Sequence, residues 1–300
     1  MSEAIDTSLP VRPPSLPARI TASSARIVSK LVQEPLGLAG FVILGLLCVV
    51  AIIAPWLAPY DPNIQVLSDA LKPPNAAHWA GTDEFGRDIL SRLIYGTRIT
   101  VQTVLSISLI VGPIGLLIGV VAGFFGGRTD ALLMRATDIV LSFPSLILAL
   151  AFAAALGAGL TTAIIAISLT AWPPIARLAR AEALVVRNAD YVAAARLYGA
   201  SPLRILFVYI APMCIPSVIV RLTLNMAGII LTAASLGFLG LGAQPPAPEW
   251  GAMISNGRKF MLDYWWVAVM PGLAILISSL AFNIAGDALR DILDPRHARS

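Results

Sequence analysis

Five stretches of this 300-residue chain contain no charged residue for 23 residues or more. A helix needs roughly 20 consecutive apolar residues to cross the hydrocarbon core of a bilayer, so each stretch can hold a membrane span. Charged residues make up 13% of the chain, whereas soluble domains carry about 25%. Most of the chain is therefore predicted to lie in lipid. The stretches are 35–60, 99–127, 139–176, 222–248 and 264–286.

The third stretch is 38 residues long, which is enough for two helices, and GAGLTT at 157–162 supplies a break inside it. The prediction is therefore an all-α, polytopic membrane protein with six spans and both termini on the same side. Residues 1–35, rich in Pro, Ser, Thr and Arg, are expected to form a flexible tail. The predicted spans lie near 37–58, 101–123, 139–156, 162–178, 217–240 and 267–286.

Basic residues orient the predicted bundle. If both termini are cytoplasmic, 15 of the 21 Lys and Arg residues lie on the cytoplasmic side and six lie outside. Basic residues accumulate in cytoplasmic loops, so this bias favours cytoplasmic termini. Aromatic residues then fall near the outer boundary of the bilayer, where their amphipathic rings are enriched. They are Trp56, Tyr60, Tyr264, Trp265 and Trp266.

A polar segment, DYVAAARLYGASPLRILFVYIAP at 190–212, separates the fourth and fifth spans. Tyr191, Ala195 and Tyr198 recur at the spacing that lines one face of a helix. Asp190 falls in the first turn of that helix, where a negative charge suits the helix dipole. The segment is therefore predicted to begin with a short helix on the cytoplasmic side.

Local signals predict a turn and a second helix in the same segment. Gly199 suits the left-handed position just past a helix end, and Ser201 suits an N-cap with Pro202 at the first helical position. Pro212 is expected to end the second helix. A merely solvated helical loop and a DNA-binding helix-turn-helix are alternatives; the close flanking spans disfavour the latter.

This segment resembles the cytoplasmic loop of membrane subunits in ATP-binding-cassette importers, which has the form EAA, three residues, Gly, then Ile-x-Leu-Pro. AAARLYG and YIAP occupy the pattern here, with Ala194, Ala195, Gly199 and Pro212 at the matching positions. The family's Glu, Ile and Leu are replaced by Ala193, Tyr209 and Ala211. The coupling residues that the resemblance implies are Asp190, Tyr191, Ala194, Ala195, Gly199, Ala200, Ser201, Pro202 and Pro212.

The resemblance covers about residues 36–296 and points to the second permease subunit of peptide-type importers. That branch includes dipeptide, oligopeptide, glutathione and nickel systems. It implies a type I importer permease fold, with a periplasmic loop at about 61–98, a coupling loop at about 179–215 and a short tail at 297–300. The segments that carry it are HWAGTDEFGRDILSRLIYGTR (78–98), FGGRTDALLMRATDIVLSFPSL (125–146), LGFLGLGAQPPAPEWGAMI (236–254) and AFNIAGDALRDILDPR (281–296).

The family resemblance also implies the partners. They are a second permease subunit in a heterodimer, two ATPase subunits and an extracytoplasmic substrate-binding protein, in the lipid of a bacterial inner membrane and without nucleic acid. The chain contains no GxxxxGK[ST] phosphate-binding loop and no catalytic or metal-binding constellation. We therefore expect no enzyme activity and no cofactor in this chain, with ATP and Mg²⁺ bound by the ATPase subunits.

Polar residues in and beside the spans suggest where substrate passes. Arg221 and Asn225 lie one helical turn apart in the inner half of the fifth span, where polar side chains normally face the bundle or a water-filled cavity. We expect them to line the pathway; packing or snorkelling is the alternative. The outer loops would face the binding protein, or simply cap the bundle. The outer candidates are Asp83, Arg87, Gln244 and Trp250.

Gly115, Gly119 and Gly123 form consecutive GxxxG steps on one helix face. Such steps allow two helix backbones to approach closely, so close packing is predicted, with a gating hinge as the alternative.

Two other classes of protein are less compatible with this sequence. A secondary transporter needs its own ion-coupling site, usually buried acids at mid-membrane, and none of the 17 acids falls clearly at a span centre. A membrane scaffold has no need for the coupling-loop spacing. The peptide importer is therefore preferred, with nickel or glutathione as alternative substrates of the same architecture.

Overall fold

The computed structural model of this protein describes residues 35–293. Within that part of the chain the regular structure is helical, and no β-strand forms. The predicted tails at 1–35 and 297–300 lie outside the described residues, except for Pro35, which is the first residue of a helix. The predicted all-α fold class is confirmed.

Ten helices organise the described chain, with short 3₁₀ turns at Leu67–Asp69 and Arg258–Phe260. The bounds are α1 (Pro35–Leu57), α2 (Ile89–Phe125), α3 (Gly127–Leu141), α4 (Ser145–Leu156), α5 (Leu160–Ala171), α6 (Pro173–Val186), α7 (Asp190–Leu197), α8 (Pro202–Phe238), α9 (Trp250–Gly257) and α10 (Trp266–Leu293). The helix α8 contains a π-helical segment near its start.

Five continuous helical stretches are long and apolar enough to cross a membrane: α1, α2, α5 with α6, α8 and α10. The predicted third span, 139–156, is not one straight helix. The helices α3 and α4 meet there at an angle of 88°. Pro144 stands at the break, and a proline has no N–H to donate and disfavours helical geometry in the residue before it. The sixth predicted span is therefore a bent pair.

Except for α1, the spanning helices extend beyond their charge-free stretches. The 37 residues of α2 make a rod of about 55 Å, whereas the hydrocarbon core is about 30 Å thick. The last ten residues of the predicted periplasmic segment 61–98 form the first turns of α2. Asp88 caps this helix: its carboxylate accepts hydrogen bonds from the N–H and the hydroxyl of Ser91, both at 2.7 Å.

The glycine stripe of α2 packs directly on α6, and the prediction of close helix packing is confirmed. A Cβ at Gly119 would lie 2.3 Å from the carbonyl oxygen of Ala176. A Cβ at Gly115 or Gly123 would lie 2.7 Å from the side chain of Ile175 or Ala183. These distances are shorter than van der Waals contact, so α6 can approach α2 this closely only where the facing residues are glycine.

Candidate functional site

The segment that joins α6 to α8 lies at one end of the bundle, at the opposite end from the start of α2. Within the predicted coupling loop 179–215, α6 continues to Val186 and α8 begins at Pro202. The short helix α7 lies between them, with Asp190 in its first turn as predicted. We call the region from α7 through residue 210 the helix pair.

Gly199 forms the turn between the two helices of the pair. Its φ is +76°, so the predicted left-handed conformation is confirmed. The N–H of Ala200 donates to the carbonyl of Ala195, and the N–H of Gly199 donates to the carbonyl of Arg196, both at 3.0 Å. These two bonds satisfy carbonyls that the end of α7 would otherwise leave free. A Cβ at Gly199 would meet no atom within 4 Å, so the requirement for glycine comes from the backbone alone.

Ser201 caps the second helix of the pair. Its hydroxyl accepts a hydrogen bond from the N–H of Arg204 at 3.4 Å, and Pro202 takes the first helical position. Both predictions are confirmed. Since a side-chain cap and a proline fix the start of α8, the turn at Gly199 has a defined exit direction.

Pro212 does not end the second helix, contrary to the sequence prediction. The chain passes from Pro202 through a π-helical segment, Ile205–Ile210, directly into the long span that ends at Phe238. The N–H of Ala211 donates to the carbonyl of Leu206, five residues back. This wider turn shifts the hydrogen-bond register just before Pro212, so the missing N–H is accommodated without a break.

One side of the helix pair is anchored in the bundle. Val192 and Ala195 of α7, and Ile205 and Leu206 of α8, are buried among neighbouring side chains. Ala195 is buried, whereas Tyr191 and Tyr198, which share its helical spacing, are exposed. Val192, the residue after Tyr191, is fully buried and belongs to the core cluster.

Several apolar residues of the helix pair are exposed, and we call four of them the crest. Tyr198 is 92% exposed and Leu197 is 89% exposed. Leu203 and Phe207 of α8 complete the crest and are also exposed. The crest residues belong to an element that is capped by Ser201 and has other residues buried in the bundle.

A bidentate ion pair ties α6, which leads into the helix pair, to α3. Arg180 donates from Nε and Nη2 to the two carboxylate oxygens of Asp130, at 2.5 and 2.6 Å. Arg177 contacts Asp138 at 2.6 Å, but both of these side chains are more than half exposed. The pair Arg180–Asp130 is the more protected of the two, so it contributes more to holding the helices together.

Two further hydrogen bonds connect α6 to its other neighbours. Arg187 donates from Nη1 to the carbonyl of Gly123 at the end of α2, at 2.7 Å. Ser217 of α8 donates its hydroxyl to Glu182 at 3.0 Å. Sequence reasoning missed these partners, since they are separated by 35 to 64 residues and no local pattern pairs them.

The candidate pathway residues lie on α8 as predicted. Arg221 is exposed on the surface of the single subunit, and Asn225, one turn further along, is half-buried. A charged side chain facing lipid is costly, so Arg221 favours an environment of water or protein. Their role in the pathway stays a prediction.

Three of the four outer candidates are buried, which corrects the expectation that they face a partner. Asp83 accepts Arg87 Nε at 2.7 Å, and both side chains are about 7% exposed. Trp250 is 2% exposed and donates from Nε1 to the carbonyl of Leu93 at 3.2 Å. Asp83 and Arg87 therefore bond to each other, whereas Trp250 bonds to the backbone of α2. Gln244 is exposed, and for it the prediction stands.

Glu249 is a further buried polar residue at the outer end, and sequence reasoning overlooked it. Its carboxylate caps α9 by accepting the N–H groups of Gly251 and Ala252, at 2.8 and 2.7 Å. Burial raises the pKa of this carboxyl, although the two hydrogen bonds oppose the shift. An acid just before WGAMI is the local signal that would have found the cap.

The long apolar helices, with α2 and α6 packed closely along a glycine stripe, define a multi-pass membrane protein. The family model for the binding-protein-dependent transport system inner membrane component matches residues 115–299. The model for the N-terminal transmembrane domain of oligopeptide transport permease C matches residues 24–74. The chain belongs to this family of inner-membrane components and is a permease subunit of an ATP-binding-cassette importer, as the sequence indicated.

Curated relatives resemble nearly the whole chain. It is 47% identical over 274 residues to the probable D,D-dipeptide transport system permease protein DdpC of Escherichia coli K12, covering 91% of this chain and 92% of that protein. It is 47% identical to the di/tripeptide permease DppC of Pseudomonas aeruginosa UCBPP-PA14, with 86% and 88% covered. The nickel permease NikC of E. coli K12 is 43% identical, with 85% and 92% covered.

A solved structure has the same fold. The methionine ABC transporter MetNI, in an inward-facing conformation, superimposes with a TM-score of 0.55 and 20% sequence identity. The match covers 69% of this chain and 98% of that chain. At this identity the likeness concerns the fold alone, and it confirms the predicted importer permease architecture.

Proposed function

We propose that the helix pair couples this permease to separate ATPase subunits, and that the chain forms half of a translocation pathway for short peptides. The observation that carries the proposal is the crest: exposed apolar residues on a capped, anchored element that α6 connects to α2, α3 and α8. A surface of this kind favours docking into a groove on a partner. When the partner displaces the helix pair, the movement is transmitted to the spanning helices through α6.

The proposed complex contains a second permease subunit, two ATPase subunits that bind ATP and Mg²⁺, and an extracytoplasmic substrate-binding protein. Hydrolysis takes place on the ATPase subunits, and this chain converts their closure into a change of pathway access. Membership of a binding-protein-dependent transport family supports this assignment.

Peptides are the proposed substrate class, because two relatives with 47% identity carry peptide names while the nickel relative is 43% identical. The assembled complex in proteoliposomes, supplied with its cognate binding protein, is expected to accumulate a labelled dipeptide only when ATP is enclosed with the ATPase subunits. ATP-dependent accumulation of Ni²⁺ but not of dipeptide would instead assign the metal as substrate.

Cysteine labelling tests the proposed orientation, in which both termini and the helix pair are cytoplasmic. The two native cysteines, the exposed Cys48 and the buried Cys214, are first replaced so that only the introduced cysteine can react. Ser68 and Ala193 are exposed at opposite ends of the bundle and serve as the labelled positions. In intact cells, an impermeant maleimide is expected to modify Ser68→Cys and to spare Ala193→Cys. The reverse labelling pattern would mean that the termini and the helix pair lie outside the cell, and would contradict the proposed orientation.

Substitution of Asn225 tests the proposed pathway. Asn225→Leu is expected to lower the transport rate about five- to tenfold, because a pathway that carries a polar peptide loses one polar group at a half-buried position. Assembly with the ATPase subunits, measured by co-purification, is expected to be unchanged. Thr223→Leu on the same helix is the control, and normal uptake by Asn225→Leu would assign Asn225 to packing.

A further inference from the structure

A cleft of about 480 Å³ opens at the outer end of the protein, between the loop before α2 and the segment around α9. We call it the outer cleft. Its volume lies within the range of small-molecule sites, which are roughly 300 to 1,000 Å³. Its walls combine apolar and charged side chains. The lining residues that bear on its charge and shape are Glu84, Phe85, Arg87, Arg92 and Lys259.

The charged groups of the outer cleft are not balanced. Its lining includes the cations Arg87, Arg92 and Lys259, and one acid, Glu84. Behind the lining, both guanidiniums share one carboxylate oxygen of Asp83, which lies 2.7 Å from Arg87 Nε and 3.6 Å from Arg92 Nε. Even with Asp83 counted, three cations face two acids.

Asp83 has little capacity left for a second guanidinium. Its other carboxylate oxygen accepts the N–H groups of Phe85 and Arg87, at 2.9 and 3.0 Å. Arg87 donates to Asp83 through Nε, which leaves its two terminal nitrogens for the cleft, and its guanidinium stacks 4.7 Å from the centre of the Phe85 ring. Arg87 is 6% exposed and Arg92 is 4% exposed, so both cations are held in a largely dry wall.

We infer that the outer cleft binds the free carboxylate of a short peptide. A guanidinium fixed by Nε and by an aromatic ring presents its terminal N–H groups in the planar fork that pairs with a carboxylate. Phe85 provides an apolar surface beside it, and Lys259 adds a second positive charge at the rim. This inference rests on the proposed peptide transport and names the part of the peptide that the permease itself recognises before translocation.

The shape of the cleft favours the end of a peptide over a folded partner. The guanidinium of Arg87 lies in a concave, nearly buried wall, which a slim chain end reaches more easily than the convex surface of a protein domain. Glu84 is half-buried in the same lining and repels a carboxylate. Removal of its charge is therefore expected to strengthen binding of an anionic ligand, whereas reversal of the charge of Lys259 weakens it.

Two matched probes test the inference: N-acetyl-Ala-Ala, which has one carboxylate, and its C-terminal amide, which has none. Each is titrated by saturation-transfer NMR against the assembled complex in nanodiscs, without binding protein. The acid is expected to bind at least about tenfold more tightly than the amide, since a charge-assisted bidentate pair is lost in the amide. Equal affinities would overturn the inference.

Three variants locate the site on this chain, and Arg87 is left in place because it holds Asp83. Lys259→Glu is expected to weaken binding of the acid about fivefold, and Glu84→Gln is expected to strengthen it about threefold. Arg258→Glu is the matched control: it makes the same charge change at the neighbouring residue, which lies over the Phe238 ring instead of lining the cleft. Equal effects of Lys259→Glu and Arg258→Glu would contradict the site.

The result separates this inference from the proposed function. If the acid does not bind but the coupling variants described below still lose stimulated hydrolysis, the outer cleft alone is refuted. The inference would also be overturned if N-acetyl-Ala-Ala did not bind, but the binding protein docked in a salt-dependent way that Lys259→Glu weakened. The cleft would then be assigned to a carboxylate of that partner protein.

Discussion

Gly199→Val is expected to abolish substrate-stimulated ATP hydrolysis while the subunit stays in the membrane with its partner permease. A residue with a Cβ adopts the left-handed conformation at a cost of about 1–2 kcal/mol, and a β-branched residue adopts it least readily. A Cβ at Gly199 meets no atom within 4 Å, so the bundle itself is undisturbed. The turn changes its angle instead, and the crest loses its orientation toward the ATPase subunit.

Gly240→Val provides a closely matched control. Gly240 has a φ of +79° and open space around its Cβ position, and the N–H of Leu241 donates to the carbonyl of Leu236 as in the turn at Gly199. This second turn lies at the far end of α8. Its variant carries similar strain and is expected to keep stimulated hydrolysis. Normal stimulation in Gly199→Val at normal expression would contradict the coupling role, and equal loss in both variants would indicate general destabilisation.

Loss of the Arg180–Asp130 pair is expected to lower transport about tenfold, because α6 then moves without carrying α3 with it. Asp130→Ala and Arg180→Ala should each show this loss, with the ATPase subunits still bound, and the double variant should be no worse than either single one. The charge exchange Asp130→Arg with Arg180→Asp should recover part of the transport. ATP-driven peptide uptake is measured alongside ATP hydrolysis in each variant.

The exposed pair Arg177–Asp138 joins the same two helices and supplies the control. Exposed ion pairs contribute about 0.2–1 kcal/mol, so Asp138→Ala is expected to change uptake by less than about threefold. If Asp138→Ala and Asp130→Ala reduced uptake equally, the loss would reflect the net charge of this surface, and the mechanical role of Arg180 would be refuted.

Local signals in the sequence were sufficient for the features that depend on the backbone. The left-handed turn at Gly199, the cap at Ser201 and the close approach along Gly119 each follow from residue types at fixed spacing. The prediction that Pro212 ends a helix was wrong, because the π-helical turn before it accommodates the proline and no residue pattern predicts that turn. The bend at Pro144 falls where the missing N–H of a proline predicts one, but its angle of 88° does not follow from the residue pattern.

Contacts between distant segments were beyond the reach of the sequence. Asp130 and Arg180 are 50 residues apart, and only the packing of α3 beside α6 brings them together. Asp83 and Arg87 belong to a loop rich in charge, which suggested an exposed surface. Their side chains are instead buried and paired with each other, so the carboxylate of Asp83 and the Nε of Arg87 have an internal structural role.

Site-directed crosslinking tests the coupling role of the helix pair most directly. Tyr198 and Leu262 are almost fully exposed, at 92% and 99%, and lie at opposite ends of the bundle. In a cysteine-free background, a short bifunctional maleimide is applied to the assembled complex with Tyr198→Cys or Leu262→Cys. The account predicts an adduct with an ATPase subunit from position 198 and none from position 262. An intact, hydrolysing complex that gives no ATPase adduct from position 198, or gives one from position 262, would contradict it.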